Sequence, residues 1–434
     1  MLLAACNNTV ERNADRLMSD LYEQGGFTGA VVIAKEGKVV YGRGFGMADD
    51  TRPFAPDTAA ESGSLAKPVT AIAILLLASE GKVDLDAPAR SYVAEFPYPD
   101  VTVRHLLSHS AGLPNYDVFE DLIADGAPTD NLSLLKATAL RRPQPAFAPG
   151  TAFDYCNLCY DALASIIERV SGRRYAEFIA ERLFTPAGMT DTFVRPARLA
   201  DWPGPRALGR KIRGDRVEPN DVFDNEGFYG GGNVNFSARD LARWMTLWAS
   251  GSGAIPESVR KAAVEPAKIG DALSPLTLGS WYCAKGAAAC YYTGHHQGFH
   301  ALAYWNAETR VAVSFIASNT LTSPLEPALA RALVAAAEAR KAERLVFDAT
   351  REASEATIAR IAGDYAGAGI EPFSIVDDQG RAFLGIAGQP RQQLYPIGYD
   401  GLYAPGADVY FFVDPATNGI SWSTIFLETT ARRK

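Results

Sequence analysis

The sequence predicts an α/β (α+β) protein in which a large first domain is followed by a small all-β domain. The stretch 61–81 ends in an apolar run of helix length, and Gly81 follows that run as a C-terminal glycine should. Strand-like runs occur on both sides of this stretch, over 28–46 and 278–319. After about Lys341 the pattern changes to about six short alternating runs among Gly and Pro residues. The length of 434 residues exceeds one ordinary core and agrees with two domains.

The elements of the first domain follow from local patterns. Helical spacing predicts helices over 10–25, 158–171 and 237–250, the last capped by Ser237. Two strands, 28–35 and 38–46, are joined at Glu36-Gly37, which is a hairpin signal. The stretch 227–236 is a glycine-rich loop without the features of a phosphate cradle.

Two histidines lie four residues apart on another predicted helix. His105 and His109 have the spacing of a metal pair, but no third ligand is near them in the sequence. We therefore interpret them as structural residues of a helix that is followed by a turn at 110–114. The sequence predicts no metal and no cofactor.

The composition narrows the class of protein. Apolar residues make up 47% of the chain and charged residues 21%, which is typical of a globular protein. The net charge of −8 argues against nucleic acid as a partner. No apolar run reaches the roughly 18 residues that a membrane span needs.

The first residues resemble the end of a bacterial lipoprotein signal. Leu3-Ala4-Ala5 stands directly before Cys6, although a basic segment and a longer apolar region do not precede it. We interpret 1–9 as a signal remnant and tether with a possible lipid anchor on Cys6. This interpretation predicts a periplasmic or outer-membrane-associated lipoprotein. The alternative is a chance LAAC in an alanine-rich chain.

The strongest chemical signal is a serine and a lysine three positions apart. Ser64 and Lys67 would lie on one face at the N-terminal end of the predicted helix. The partial positive charge of that helix end favours a serine alkoxide. A neutral lysine on the next turn can take the hydroxyl proton and so activate the nucleophile. The alternative is a helix cap followed by a surface lysine.

Two further segments carry candidate residues. Tyr155 can pass a proton between Ser64 and a leaving group, and Asn157 can hydrogen-bond Lys67 and a substrate carbonyl. In the run 278–319 we predict three successive strands, with His296-Gln297-Gly298 inside the middle one. These residues complete the candidate site. In it we expect Gly298 to admit a substrate backbone, the Phe299 and Ser64 amides to form an oxyanion hole, and His296 to orient Tyr155 or bind substrate.

Four of the five cysteines form two close pairs. Cys283 and Cys290 flank a short segment between strand-like runs, where a disulfide can form in an oxidising compartment. Cys156 and Cys159 form a C-x-x-C without a second pair of metal ligands nearby. They are interpreted as a second disulfide or as two buried thiols.

Taken together, the motifs resemble the serine β-lactamase and penicillin-binding-protein superfamily. The resemblance is to its class C β-lactamase-related branch, which includes DD-carboxypeptidases, D-aminopeptidases and esterases. HLLSHSAGLP and the GGG-x-x-x-x-S-A-R-D-L run over 230–241 also resemble this branch. The motifs occur in the family's order: Ser64-Leu65-Ala66-Lys67, Tyr155-Cys156-Asn157 and His296-Gln297-Gly298.

This resemblance implies a fold and a domain order. It implies an antiparallel sheet flanked by helices, a mainly helical lobe beside it, and a site in the cleft. The expected domains are a serine hydrolase domain over 10–345 and a small lipocalin-like β-barrel over 346–434. The last part could gate substrate, contact a partner or add stability.

The resemblance also implies an activity. Ser64 would form an acyl-enzyme with a small-molecule or peptide substrate, and Lys67 and Tyr155 would share the proton transfers. Because His296 stands where many β-lactamases have lysine, strong β-lactamase activity is not expected. We expect hydrolysis of peptide-like amides, in the manner of a D-amino-acid peptidase or carboxypeptidase. The alternatives are an esterase with the same residues and a non-catalytic binding protein.

Overall fold

A computed structural model describes most of the chain. The described residues are 2–124, 129–142, 144–213, 216–251, 254–284, 288–319, 325–342, 345, 358, 361–367, 370–378, 380–387, 391–397, 401–404, 409–414, 419–423 and 428–433. The chain divides into two compact units, one formed by 29–210 and 219–318 and the other by 1–28, 211–218 and 319–434.

The helices and strands before the C-terminal region have the following bounds. The helices are α1 Leu2–Glu23, α2 Ala66–Ser79, α3 Val103–Leu107, α4 Glu120–Ala124, α5 Asn131–Arg141, α6 Asn157–Ser171, α7 Tyr175–Ile179, α8 Ala238–Ser250, α9 Glu257–Ala263 and α10 Leu325–Ala337. The strands are β1 Gly29–Lys35, β2 Lys38–Phe45, β3 Ala60–Glu61, β4 Thr129–Asp130, β5 Phe193–Val194, β6 Arg210–Arg213, β7 Arg216–Pro219, β8 Glu226–Gly227, β9 Val234–Phe236, β10 Pro266–Ile269, β11 Ala272–Thr277, β12 Tyr282–Cys283, β13 Ala289–His296, β14 Phe299–Asn306 and β15 Val311–Ala317.

A six-stranded antiparallel sheet forms the centre of the larger unit, in the order β12-β13-β14-β15-β1-β2. Every residue of β15 is buried, and α8 packs across β1, β14 and β15. The predicted hairpin between β1 and β2 is confirmed. Its turn residues Glu36 and Gly37 have φ values of 52° and 79°, which lie in the left-handed region that such turns require.

The prediction of three strands over 278–319 is wrong, because the structure has four. The run that we predicted as one middle strand is two strands, β13 and β14, joined by a two-residue turn at Gln297 and Gly298. Gln297 adopts φ 53° there. Glutamine is not a typical turn residue at positive φ, so the local sequence carries no hairpin signal.

The helices beside the sheet confirm the predicted helical lobe. The predicted SxxK helix is a 3-10 turn, Gly63–Leu65, that continues into α2, and Gly81 has φ 71° just after the helix ends. α6 packs against α2, α3, α5 and α7. Ser237 caps α8 as predicted, since its hydroxyl accepts the Asp240 amide at 3.0 Å. Within the described residues, no helix combines the length and apolar character needed to cross a bilayer.

The predicted all-β region is a closed antiparallel barrel of eight strands. About six strands were expected. The count from sequence was too low because two strands were missed. Gly363–Gly367 lacks an alternating pattern, and Glu428–Arg433 begins only at the last residue of the final predicted run, 420–428. The strands are β16 Gly363–Gly367, β17 Ile370–Asp378, β18 Arg381–Ile386, β19 Gln392–Ile397, β20 Gly401–Ala404, β21 Val409–Asp414, β22 Gly419–Ser423 and β23 Glu428–Arg433. β16 pairs with β23 and closes the barrel.

The barrel belongs to the same compact unit as α1 and α10, which pack against each other. This division differs from the predicted domains, since 10–28 and 319–345 fall in the barrel's unit. The predicted boundary between 345 and 346, and most of the charged segment around it, lie outside the described residues. The helix α1 begins at Leu2, so the segment predicted as a tether has helical backbone.

Candidate active site

The nucleophile candidate lies on a buried turn. Ser64 is the middle residue of the 3-10 turn before α2, and Lys67 follows in the first turn of that helix with no exposed surface. The backbone before Ser64 is held by Glu61, whose Oε1 accepts the amides of Ser62 at 3.2 Å and Gly63 at 3.0 Å. These two hydrogen bonds, together with the helix, therefore determine the position of the serine.

The lysine amine has three neighbours. Lys67 Nζ lies 3.0 Å from Ser64 Oγ, 2.7 Å from Asn157 Oδ1 and 2.7 Å from the Gly231 carbonyl oxygen. The last two atoms can only accept hydrogen bonds. A neutral amine donates its two hydrogens to them, so its lone pair faces the serine hydroxyl. This is the arrangement that a general base for Ser64 requires.

Tyr155 completes the contacts of the serine from the other side. Its hydroxyl donates to Ser64 Oγ at 2.9 Å, and the Lys67 ammonium would lie 4.9 Å from the centre of its ring. The Tyr155 hydroxyl also lies 3.1 Å from the hydroxyl of Tyr292 on β13. Burial raises the pKa of Tyr292 well above its ordinary value, so its phenol stays protonated at neutral pH.

Asn157 is the first residue of α6 and meets the lysine as predicted. Its Oδ1 accepts from Lys67, and its Nδ2 donates to Asn115 Oδ1 at 3.0 Å. Asn115 thus sets the orientation of the Asn157 amide. The sequence patterns did not single out Asn115, although it directly follows the HLLSHSAGLP motif. They also did not single out Gly231, which belongs to the glycine-rich loop.

His109 is a buried residue of the site that sequence reasoning assigned to structure alone. Its ring stacks on Tyr155 with centroids 4.7 Å apart, and its Nδ1 accepts the Cys156 amide at 3.0 Å. Burial, followed by the charge of Lys67, lowers the pKa of His109 well below its ordinary value. The ring is therefore neutral and supports the Tyr155 loop. His105 is structural as interpreted, since it forms the capping box of α3 with Thr102.

The geometry does not support the predicted roles of Gly298 and Phe299. Gly298 lies in the β13–β14 turn, where its amide donates to the Asn220 carbonyl at 2.8 Å. A Cβ at this position would come within 2.4 Å of the Arg210 nitrogen. The glycine therefore allows close packing between backbones, and no substrate strand can approach there. Phe299 is buried and pairs with His296 across the turn.

The strand approaches the serine four residues earlier. A Cβ at Gly294 would lie 1.9 Å from the Ser62 carbonyl oxygen, and a Cβ at Gly63 would lie 2.7 Å from the His295 nitrogen. The β13 backbone at Gly294 and His295 therefore touches the turn that carries Ser64. Tyr292-Thr293-Gly294 forms this wall of the site in place of the predicted His296-Gln297-Gly298. Both stretches end in glycine, and only the tertiary contact distinguishes them.

His296 belongs to a charged network and does not contact Tyr155. Its Nε2 lies 3.9 Å from Glu226 Oε1, and it is 25% exposed. Glu226 pairs with buried Arg195, whose Nε lies 3.8 Å from Glu61 Oε2. Among the described residues, the Tyr155 hydroxyl contacts Ser64 and Tyr292. The predicted role of His296 in orienting Tyr155 is thus taken by Tyr292.

Because His296 does not contact Tyr155, His296→Ala should have only a small effect on activity. We expect kcat/KM to change by less than about fivefold, because a partly exposed pair is worth about 0–1 kcal/mol. The measurement compares this variant with Tyr292→Phe on one substrate. A loss of two orders of magnitude in His296→Ala alone would restore the catalytic role that the sequence predicted.

Both predicted cysteine pairs are disulfides. Cys283–Cys290 joins β12 to β13, where the two residues face each other. Cys156–Cys159 spans the first turn of α6, and Cys156 Sγ accepts the Cys159 amide at 2.9 Å. The second bridge stands between Tyr155 and Asn157 in sequence. It therefore fixes the start of the helix that delivers both side chains.

Comparison with known proteins agrees with this geometry. A family model described as Beta-lactamase matches residues 14–338, which contain every site residue named above. Penicillin-binding protein 4* of Bacillus subtilis (strain 168) is 27% identical over 422 residues, 89% of each chain. Esterase EstB of Burkholderia gladioli is 31% identical over 275 residues, 54% of this chain and 69% of the esterase. A D-aminopeptidase of Cereibacter sphaeroides is 27% identical over 350 residues, 78% of this chain and 64% of that protein. The chain is a member of the β-lactamase family.

Proposed function

We propose that the protein is a serine hydrolase that works through an acyl-enzyme on Ser64 and cleaves peptide-like amide bonds. The observation that carries this proposal is the position of Lys67, whose amine has two acceptor-only partners and faces Ser64 Oγ at 3.0 Å. The amine takes the hydroxyl proton as Oγ attacks the carbonyl carbon. Tyr155, at 2.9 Å from the same oxygen, then passes a proton to the leaving group as the bond to it breaks.

The negative charge that develops on the carbonyl oxygen needs donors. The nucleophile turn and β13 meet through their backbones, since a Cβ at Gly63 would lie 2.7 Å from the His295 nitrogen. We assign the amides of Ser64 and His295 as the oxyanion hole in place of Ser64 and Phe299. Losing one such donor costs about 3–4 kcal/mol of transition-state stabilisation in known cases. Water then attacks the acyl-enzyme with the same groups in reversed proton roles.

The first experiment tests the nucleophile. A fluorophosphonate probe is expected to label wild type and not Ser64→Ala. Ser79→Ala is the matched control, because Ser79 lies at the far end of the same helix. Labelling that persists in Ser64→Ala, or its absence from folded wild type, would overturn the acyl-enzyme proposal and favour the non-catalytic binding protein.

Esterase activity on the same residues is the second candidate. Two observations favour it: the relative EstB, and the neutral phenol of Tyr292 beside Tyr155, which supplies no fixed positive charge for a substrate carboxylate. The test compares kcat/KM on p-nitrophenyl esters with kcat/KM on D-amino-acid p-nitroanilides. Because esters are intrinsically easier to cleave, only clear turnover of the anilides favours the amide proposal.

We also propose an extracytoplasmic location with a lipid on Cys6. The support is the LAAC sequence together with two disulfides, which persist in oxidising compartments. Expression of the full gene with a radiolabelled fatty acid should label the wild-type protein and not Cys6→Ser. Equal labelling of the two proteins, or none of either, would contradict the anchor.

A further inference from the structure

One buried acid of the site has no role in the mechanism above. Asp161 lies on α6, one helical turn after Asn157, and none of its surface is exposed. Its Oδ1 accepts the Gly231 amide at 3.0 Å, and its Oδ2 accepts the Tyr116 hydroxyl at 2.7 Å. A buried carboxyl group is costly unless its oxygens are paired, and here both are.

The residue that Asp161 holds is the one that contacts the lysine. The Gly231 carbonyl accepts from Lys67 Nζ at 2.7 Å, while the Gly231 amide donates to Asp161. A Cβ on Gly231 would lie 3.0 Å from the Asn157 carbonyl oxygen and 3.1 Å from Asp161 Oδ1. The glycine loop is therefore pressed against α6 at this point. Asp161 is therefore connected to Lys67 by two hydrogen bonds that share one residue, Gly231.

Asp161 also acts on Lys67 through charge. Burial raises the pKa of Asp161 to about 7, against the opposing effects of the Tyr116 and Gly231 hydrogen bonds and the Lys67 charge. The carboxyl group thus changes charge near neutral pH, inside the site of the proposed base.

Other titratable groups also face this pair, from several elements. Burial raises the pKa of Tyr116 and of Tyr175 above the ordinary phenol value, and His109 is neutral for the reasons given above. These groups therefore keep their charge through the neutral range. The titratable groups that face Asp161 or Lys67 are Tyr116, His109, Tyr155, Tyr160 and Tyr175, and Glu226 faces Tyr116.

We propose that Asp161 is a positioning residue for Lys67, which holds the Gly231 carbonyl against the amine and makes the reactivity of Ser64 depend on the charge of Asp161. The inference rests on the proposed function, since it takes Lys67 as the base. It assigns no contact between Asp161 and the substrate.

Two variants separate the two parts of this role. Asp161→Asn keeps an oxygen for the Gly231 amide and removes the charge. Most of the wild-type rate of Ser64 labelling at the best pH should therefore remain. The pH–rate profile of this variant should lack the change near pH 7 that the wild-type profile owes to the titration of Asp161. Asp161→Ala loses the contact to Gly231 as well, and its rate should fall by about tenfold or more at every pH.

The measurement is the rate constant for labelling of Ser64 by a fluorophosphonate as a function of pH. Asp240→Asn is the matched control, since Asp240 is a buried acid on α8 outside the site, and its profile should equal that of wild type. If Asp161 were purely structural, its replacement would lower stability and leave the shape of the pH–rate profile unchanged. If wild type is labelled and the profile of Asp161→Asn has the same shape as that of wild type, the inference is wrong and the proposed function stands. If folded wild type is not labelled, the proposed function itself fails.

A stability measurement tests the charge of Asp161 without any activity. The folded-state pKa of about 7 is above the unfolded value of 3.8, so the folded protein binds the extra proton between these values. Raising the pH from about 4 to about 7 should therefore lower the Tm of wild type relative to that of Asp161→Asn, with no further change above this range. A difference in Tm that is constant across this range would contradict the assigned titration.

Discussion

Replacing Lys67 by methionine is expected to lower kcat/KM by about 10³-fold, within the range of 10²–10⁴ that general base catalysis supplies. Methionine is unbranched and only one atom shorter than lysine, and its thioether sulfur is far too weak a base to take the Ser64 proton. Lys67→Arg should fail to a similar extent, because a guanidinium stays protonated and cannot act as a base. The measurement is kcat/KM on the best substrate from the ester and anilide comparison, together with the rate of fluorophosphonate labelling.

Folding has to be checked for these variants. Removing the amine leaves Asn157 Oδ1 and the Gly231 carbonyl without a partner, at about 1–3 kcal/mol for each buried group. Tm therefore has to be measured beside the rates. Lys82→Met is the matched control, because Lys82 is exposed just beyond the end of α2. If folded Lys67→Met keeps more than about a tenth of the wild-type rate, the lysine is not the base.

Tyr155→Phe is expected to lower kcat by about 10²-fold or more, since it removes the hydroxyl that lies 2.9 Å from Ser64 Oγ. The aromatic ring remains, so its stacking on His109 and its position under the Lys67 amine are retained. The change is thus confined to the proton carrier. We expect the loss in kcat rather than in KM, because the hydroxyl acts when the leaving group departs.

Tyr292→Phe serves as the comparison. The hydroxyl that it removes contacts the Tyr155 hydroxyl and is thus one hydrogen bond further from Ser64. We expect a loss of less than about tenfold, which is what removing one neutral hydrogen bond costs at about 1 kcal/mol. Equal losses in the two variants would show that Tyr155 is not the proton carrier. A much larger loss in Tyr292→Phe would place the essential phenol on β13.

The local part of this site was predictable from sequence because its members are close along the chain. Ser64 and Lys67 share one helical turn, and Tyr155 and Asn157 flank one helix start, so each pair is positioned by local backbone geometry. The disulfide pairs are also short-range, and their spacing pointed to them. The predicted helices at α2, α6 and α8 formed for the same reason.

The strand residues that face Ser64 were predicted wrongly, because their position depends on pairing and contacts between strands. Tyr292-Thr293-Gly294 and His296-Gln297-Gly298 both end in glycine, and both glycines are needed for close backbone contact. Only the pairing of β13 with β14 shows that the second stretch is a turn, and only the contact with Ser62 shows that the first faces the nucleophile. Registers of this kind depend on residues far apart in the chain.

By itself, then, the sequence predicted the Ser64–Lys67 and Tyr155–Asn157 pairs, the two cysteine pairs and the α+β class, all of which follow from short spacings and hydrophobic period. The tertiary structure alone decided which strand residues meet Ser64, why His109, Asn115 and Asp161 belong to the site, and how many strands close the barrel. These depend on hydrogen bonds and backbone contacts between segments tens of residues or more apart, for which no local pattern is required.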